Sequence, residues 1–61
     1  MPVVVVNVLE GNTLEQKREL AKAITKAVVD IIHVVPEHVF VQIREDSREN
    51  VANGGLLLCD R

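Results

Sequence analysis

VVVVNVLEGNTLEQ, residues 3–16, contains the two signals that decide the fold. Val3 to Leu9 is a β-branched run broken only by Asn7, too short for a buried helix and rich in strand formers, so it predicts a strand covered on both faces. Gly11 and Asn12 end that strand. Thr13 and Gln16 then stand at capping-box spacing: the Thr13 hydroxyl can accept from the Gln16 amide while the Gln16 side chain returns to the Thr13 amide. A helix starts here. Along it Leu20, Ile24, Val28, Ile31 and Val35 recur on one face at period 3.6, with Ala21, Ala27 and Ile32 widening the stripe. Pro36 is expected to stop the helix, because the residue before a proline is pushed out of the α region. Lys17, Arg18, Glu19, Lys22, Lys26 and Asp30 fall largely outside the stripe and read as a solvated face, with Glu19–Lys22 and Lys26–Asp30 as modest surface pairs.

Beyond Pro36 the pattern changes to period two. Val39, Val41 and Ile43 fall on one side and Phe40, Gln42 and Arg44 on the other, which predicts a second strand over residues 39–44. Strand, helix and strand make a βαβ unit with parallel strands and a right-handed crossover. Glu45 to Asn50 is expected to be a loop. Asn53, Gly54 and Gly55 supply the positive-φ residues of a tight turn, and Leu56 to Cys59 a short returning strand that could join a neighbouring subunit's sheet. The expected fold is therefore α/β, one domain over residues 1–61, with a short carboxyl-terminal hairpin.

Sixty-one residues, 48% of them hydrophobic, pose a surface problem. A chain this short hides only about 60% of the surface that its unfolded form exposes, and it has no disulfide framework to staple it. The surplus apolar surface is expected to go into subunit interfaces, making an obligate oligomer. A net charge of −2 and a single aromatic, Phe40, argue against nucleic acid as a partner. No apolar run reaches the roughly 20 residues needed to span a bilayer, and the start lacks a secretory pattern. Cys59 is the only cysteine, which fits a reducing cytoplasm and a small apolar role.

Pro2 raises a chemical question. It has no amide to donate to a sheet, although the first position of a strand tolerates it. Methionine is commonly trimmed when the next residue is small, and a chain beginning at Pro2 would expose a secondary amine in place of an amide. An α-amino group titrates near 7.7 to 8.0, and the apolar surroundings offered by Val3, Val5 and Leu9 disfavour its charged form. Such a group can move protons next to a carbonyl. A plain strand-starter is the alternative. His33 and His38 lack partners at metal-ligand spacing, so no metal site is expected; His33 reads as a residue at the negative pole of the helix. Glu10 and Glu45 close the two strands, and Gly54-Gly55 is a turn without phosphate-loop spacing.

The start MPVVVVNVLEGNTLEQK, the later VPEHVFVQIRE strand and the ANGG turn together resemble the 4-oxalocrotonate tautomerase family over nearly the entire chain. The resemblance implies a β-α-β subunit with a terminal hairpin, assembled as a trimer of dimers, without cofactor or metal. It implies that Pro2 is the general base that takes a proton from a dienol and returns it to carbon. It also implies that Leu9 and Val3 line the pocket, the main chain at Leu9 helping to hold the substrate. Three positions depart from the family pattern. Asn12 and Phe40 stand where relatives carry carboxylate-binding arginines, and Val51 stands where an aromatic wall is usual.

A dicarboxylate would therefore meet a weaker clamp, since losing one such donor typically costs about 100- to 1000-fold in turnover. Arg44, on the strand face of Phe40, and Arg48 in the loop are the remaining candidates to bind an anionic keto or enol acid. An ion pair with a glutamate is the alternative for Arg44, and plain solvation for Arg48. Two other classes of function stay open. One is a subunit that keeps the scaffold without the activity and serves in a homo- or hetero-oligomer, where a partner chain could supply the missing cations. The other is altered proline chemistry, such as hydration-dependent dehalogenation or decarboxylation.

Overall fold

In the computed structural model, which describes residues 1–61, the valine run forms strand β1, Val3–Leu9, and leads into helix α1, Leu14–Ile32. A 3₁₀ turn, Pro36–His38, precedes strand β2, Phe40–Asp46. The hairpin strands β3, Ala52–Asn53, and β4, Leu56–Leu57, are followed by a last 3₁₀ turn, Leu58–Asp60. β1 and β2 pair in parallel, with Val3 opposite Phe40, Asn7 opposite Arg44 and Leu9 opposite Asp46. The α/β unit with parallel strands and a short antiparallel hairpin is thus the one expected. Gly54 (φ 61°) and Gly55 (φ 82°) form the two-residue connection between the paired Asn53 and Leu56, both in the left-handed region that such a turn requires.

The capping box is present as read. Gln16 N donates to Thr13 Oγ1 at 3.1 Å, and Thr13 N donates to Gln16 Oε1 at 2.9 Å, so two of the helix's orphan amides are satisfied. Thr13→Ala removes the hydroxyl acceptor. It is expected to lower stability by about 0.5–2 kcal/mol per subunit, measured by urea unfolding at fixed protein concentration. An unchanged midpoint would mean that the box contributes nothing here.

Several details differ from the sequence reading. The helix ends at Ile32, not at the proline: His33 adopts φ 62° and its amide donates to the Val29 carbonyl at 3.0 Å, a left-handed cap that histidine tolerates better than a β-branched residue does. Val35 is extended and leaves the helical stripe. Phe40, not Val39, begins β2, and Glu45 and Asp46 belong to the strand, because the parallel ladder continues as far as Leu9 and the Glu10 amide still donates to the Asp46 carbonyl at 2.9 Å. The returning strand is only Leu56–Leu57; Cys59 lies in the terminal turn. On the helix surface, Lys26 pairs with Asp30 at 2.6 Å as expected, Arg18 pairs with Glu15 at 3.2 Å, and the Glu19–Lys22 pair is not made. The hydrogen bond and the charge of Asp30 raise the Lys26 ammonium above its ordinary value. Lys17 reaches across from α1 to Glu45 and ties the helix to β2.

One sheet face is covered, not two. Val4, Val6, Val8, Val41 and Ile43 are half-buried, as are Leu20, Ile24 and Val28 on the stripe of α1, whereas Val3, Val5, Asn7, Phe40, Gln42 and Arg44 on the opposite face stay exposed. The chain alone has no second layer to place there. Roughly 28 Å of helix also covers roughly 23 Å of strand, which leaves Ile31 and Ile32 73% and 58% exposed. No residue is fully buried. The accessible surface is 4724 Å², against about 3,950 Å² for a compact monomer of this mass. The radius of gyration is 14.7 Å, against about 10.5 Å for a compact domain of this length, and the slab is 13 Å thick at its thinnest. The single chain has no interior of its own.

Candidate functional site

β1 holds the residues singled out in the sequence at its two ends. Pro2 stands half-buried at the head, where its carbonyl accepts the Phe40 amide at 3.0 Å. Phe40 and Val3, opposite one another in the ladder, are 53% and 57% exposed on the outer sheet face. Met1 projects beyond them and is 85% exposed. Residues 1–16 and 27–43 contain neither lysine nor arginine, and Glu37 and His38 of the 3₁₀ turn stand just before β2.

Leu9, Asn12, Arg48 and Val51 belong to the other end. Seven residues of strand put Leu9 about 23 Å from Pro2. Gly11, at φ 110°, turns the chain out of β1, and Asn12 Nδ2 donates back to the Leu9 carbonyl at 2.9 Å. Arg48 sits in the loop after β2, where its amide makes a long contact of 3.5 Å with the Glu10 carboxylate and its carbonyl accepts the Cys59 amide at 3.2 Å. Val51 is half-buried, and its carbonyl accepts the Leu58 amide at 2.9 Å, so the terminal turn docks on this loop. Arg44 lies between the two ends on the outer face, beside Asn7. Neither Arg44 nor Arg48 enters any of the three ion pairs of the chain, so the glutamate partner weighed for Arg44 is not present within it.

The chain alone does not enclose these residues. A pocket of about 70 Å³, lined by Asn12, Val8, Gln16, Lys17, Leu20 and Ile43, has room for about two water molecules. A larger open groove of about 440 Å³ runs over α1 beside Lys22, Lys26 and Pro36, and includes none of the predicted positions. His33 caps the helix, and no group of three or more His, Cys, Asp or Glu side chains converges anywhere.

Lys17, read from the sequence as part of a solvated face, and Arg61, which the sequence did not single out, both have structural work. Lys17 bridges to Glu45, and Arg61 Nη2 donates to Asn53 Oδ1 at 2.7 Å, which fastens the chain end to the hairpin. The spacing of 28 residues between Lys17 and Glu45 leaves no local signal, and a terminal arginine has none either.

A sequence model of the tautomerase enzyme family matches residues 2–61. The chain belongs to the tautomerase family. It is 43% identical over 61 residues to a probable tautomerase of Bacillus cereus, with both chains covered completely. It is 40% identical over 60 residues to the 2-hydroxymuconate tautomerase of Bacillus subtilis, covering 98% of this chain and 97% of that one. Among solved structures it superposes on a heterohexamer 4-oxalocrotonate tautomerase from Chloroflexus aurantiacus with a TM-score of 0.89 and 30% identity, covering 98% of this chain and 97% of that one. The tautomerase match begins at Pro2 and includes both ends of β1 as well as the terminal hairpin.

Proposed function

We propose that this tautomerase moves a proton within an enolisable 2-hydroxy- or 2-keto-unsaturated acid, with Pro2 as general base and without a cofactor. The observation that carries the reading is the setting of Pro2: half-buried at the head of β1, where the paired Val3 and Phe40 present exposed apolar side chains that a neighbouring copy can cover. A free secondary amine there loses hydration, which disfavours its charged form and leaves it able to accept a proton near neutral pH. It takes the proton of the enol hydroxyl and returns it to carbon as the ketone forms, so no atom is gained or lost. The chemistry needs Met1 removed, since the proline nitrogen behind it is an amide. Met1 is exposed enough for a processing enzyme to reach.

Arg44 and Arg48 are the groups proposed to bind the anion, with Leu9, Asn12, Phe40 and Val51 as walls. Because about 23 Å of strand separates Pro2 from Leu9, one site takes its proline from one copy and its Leu9 end from another. The proposed assembly is a cytoplasmic hexamer, a trimer of dimers, in which the exposed sheet face supplies the interfaces. Arg44→Ala is expected to lower kcat/KM by about 10- to 100-fold, mainly through KM, because a charge-assisted hydrogen bond to the carboxylate contributes about 1.5–3 kcal/mol. Steady-state kinetics with phenylenolpyruvate checks this, and an unchanged KM would remove Arg44 from the site.

A second reading, a weak or inactive subunit that serves as a structural partner in a homo- or hetero-oligomer, is favoured by one observation: Asn12 and Phe40 offer no positive charge. Intact mass of the natively expressed chain and of its assembly, followed by enol-to-keto assays on 2-hydroxymuconate and phenylenolpyruvate, decides between the two. A homo-oligomer that starts at Pro2 and turns over neither acid would leave the second reading standing.

A further inference from the structure

Of the four asparagines, Asn53 alone precedes a glycine; Asn7, Asn12 and Asn50 precede Val8, Thr13 and Val51, whose β-branched side chains crowd the amide that follows the asparagine. The Asn53–Gly54 bond stands at the tip of the hairpin. There β3 and β4 are exposed and hold each other through two residue pairs, Ala52 with Leu57 and Asn53 with Leu56. Gly54 is in open space: no atom lies within 4 Å of where a side chain would begin. So short a ladder, without buried contacts, opens at little cost. One contact holds the Asn53 side chain away from Gly54. Arg61 Nη2 donates to Asn53 Oδ1 at 2.7 Å and to the Asn53 main-chain carbonyl at 3.4 Å. A single nitrogen bonding both oxygens keeps the side-chain amide on the carbonyl side of the planar Asn53–Gly54 peptide, and the Gly54 nitrogen lies on the other side of the peptide carbon.

We propose that Asn53-Gly54 is a latent modification site, converted through a cyclic imide to aspartate or its β-linked isomer, and that Arg61 holds it shut. When the clamp releases, the Gly54 nitrogen attacks Cγ of Asn53. The N–Cγ bond forms as the Cγ–Nδ2 bond breaks, and the proton of the Gly54 amide leaves with Nδ2 as ammonia. Water then opens the imide at either carbonyl, so the sum is loss of ammonia and gain of water. The ordinary product sets a carboxylate against Arg61 and turns their contact into a charge-paired one. The β-linked product adds a carbon to the main chain at the entry to the two-residue turn. That turn fixes the register of the hairpin, so the pairing of Asn53 with Leu56 is lost. The change reaches the candidate site, because Leu58, directly after β4, donates its amide to the Val51 carbonyl and Cys59 donates to that of Arg48.

The test reads mass and needs no turnover, so it stands apart from the catalytic reading. Wild-type and Arg61→Ala proteins are held in mildly alkaline buffer and sampled over time by mass spectrometry of the tryptic peptide 49–61. Fragmentation separates Asn53 from Asn50, and aspartate from its isomer. Wild-type chain unfolded in guanidinium chloride gives the unprotected rate. Folded wild type is expected to convert at Asn53 about tenfold or more slowly than the unfolded chain. Folded Arg61→Ala is expected to convert about fivefold or more faster than folded wild type, the effect of removing a bond from a charged donor. Circular dichroism shows whether that variant is folded; where it is not, Arg61→Lys, which loses the guanidinium fork, carries the same expectation. Folded wild type converting as fast as the unfolded chain, no conversion at Asn53 in the unfolded chain, or a folded Arg61 variant that converts no faster than wild type would each overturn the proposal.

Discussion

Placing alanine at Pro2, or blocking removal of Met1, is expected to lower kcat/KM for enol-to-keto conversion by about 100- to 10,000-fold, the range that general acid–base catalysis supplies. The two changes act differently. Alanine leaves a primary amine at the chain start, so some proton transfer survives; a retained Met1 turns the proline nitrogen into an amide with no useful basicity, and the loss is at the upper end. Ultraviolet absorbance of the enol follows both variants against the mature chain. Far-UV circular dichroism should be unchanged, because Pro2 contributes to the ladder only through its carbonyl, which accepts the Phe40 amide. Equal rates for the alanine variant and the mature chain would remove the proline from the mechanism.

Val5→Lys is expected to abolish both assembly and folding. Val5 lies on the outer sheet face, 43% exposed in a chain that has no buried residue, so the stability of the subunit depends on covering this face. Burying one valine contributes about 1.5–3 kcal/mol, and a lysine in its place brings an ammonium group without a partner. Repeated in every copy, that exceeds what an oligomer of small subunits can absorb. Sedimentation equilibrium should show loss of the assembly together with loss of the helical dichroism signal, whereas Glu19→Lys on the solvated helix face should leave both intact. A Val5→Lys protein that sediments as a folded 6.8 kDa monomer would contradict the interface argument.

Much of the fold was legible in local chemistry. β1, the capping box, the parallel βαβ order and the Gly54-Gly55 turn each rest on residues a few positions apart, where propensity and hydrogen bonding act directly. The misread boundaries depend on distant partners. β2 reaches Asp46 because Leu9 is there to pair with it, and α1 stops at Ile32 because His33 accepts a left-handed conformation, which helical periodicity does not register. The Lys17–Glu45 tie is likewise invisible without the crossover that brings helix and strand together. For the candidate site, residue types pointed to Pro2, Arg44 and Arg48 as the groups with chemistry to offer. That Pro2 and Leu9 lie at opposite ends of one strand follows from the predicted strand itself; the register adds that Phe40 stands opposite Val3 and Arg44 opposite Asn7. Sequence did not show that the Asn12 amide is given to its own backbone.

The most direct test is the titration of the Pro2 nitrogen in the assembled, Met1-free protein, followed by ¹⁵N chemical shift and compared with the pH dependence of kcat/KM. A base must be unprotonated to act, so kcat/KM should rise with pH through the pKa of that nitrogen. The two curves should share a midpoint below the ordinary α-amino range of about 7.7–8.0. A nitrogen that titrates within or above that range, or a rate profile that ignores its titration, would contradict the account.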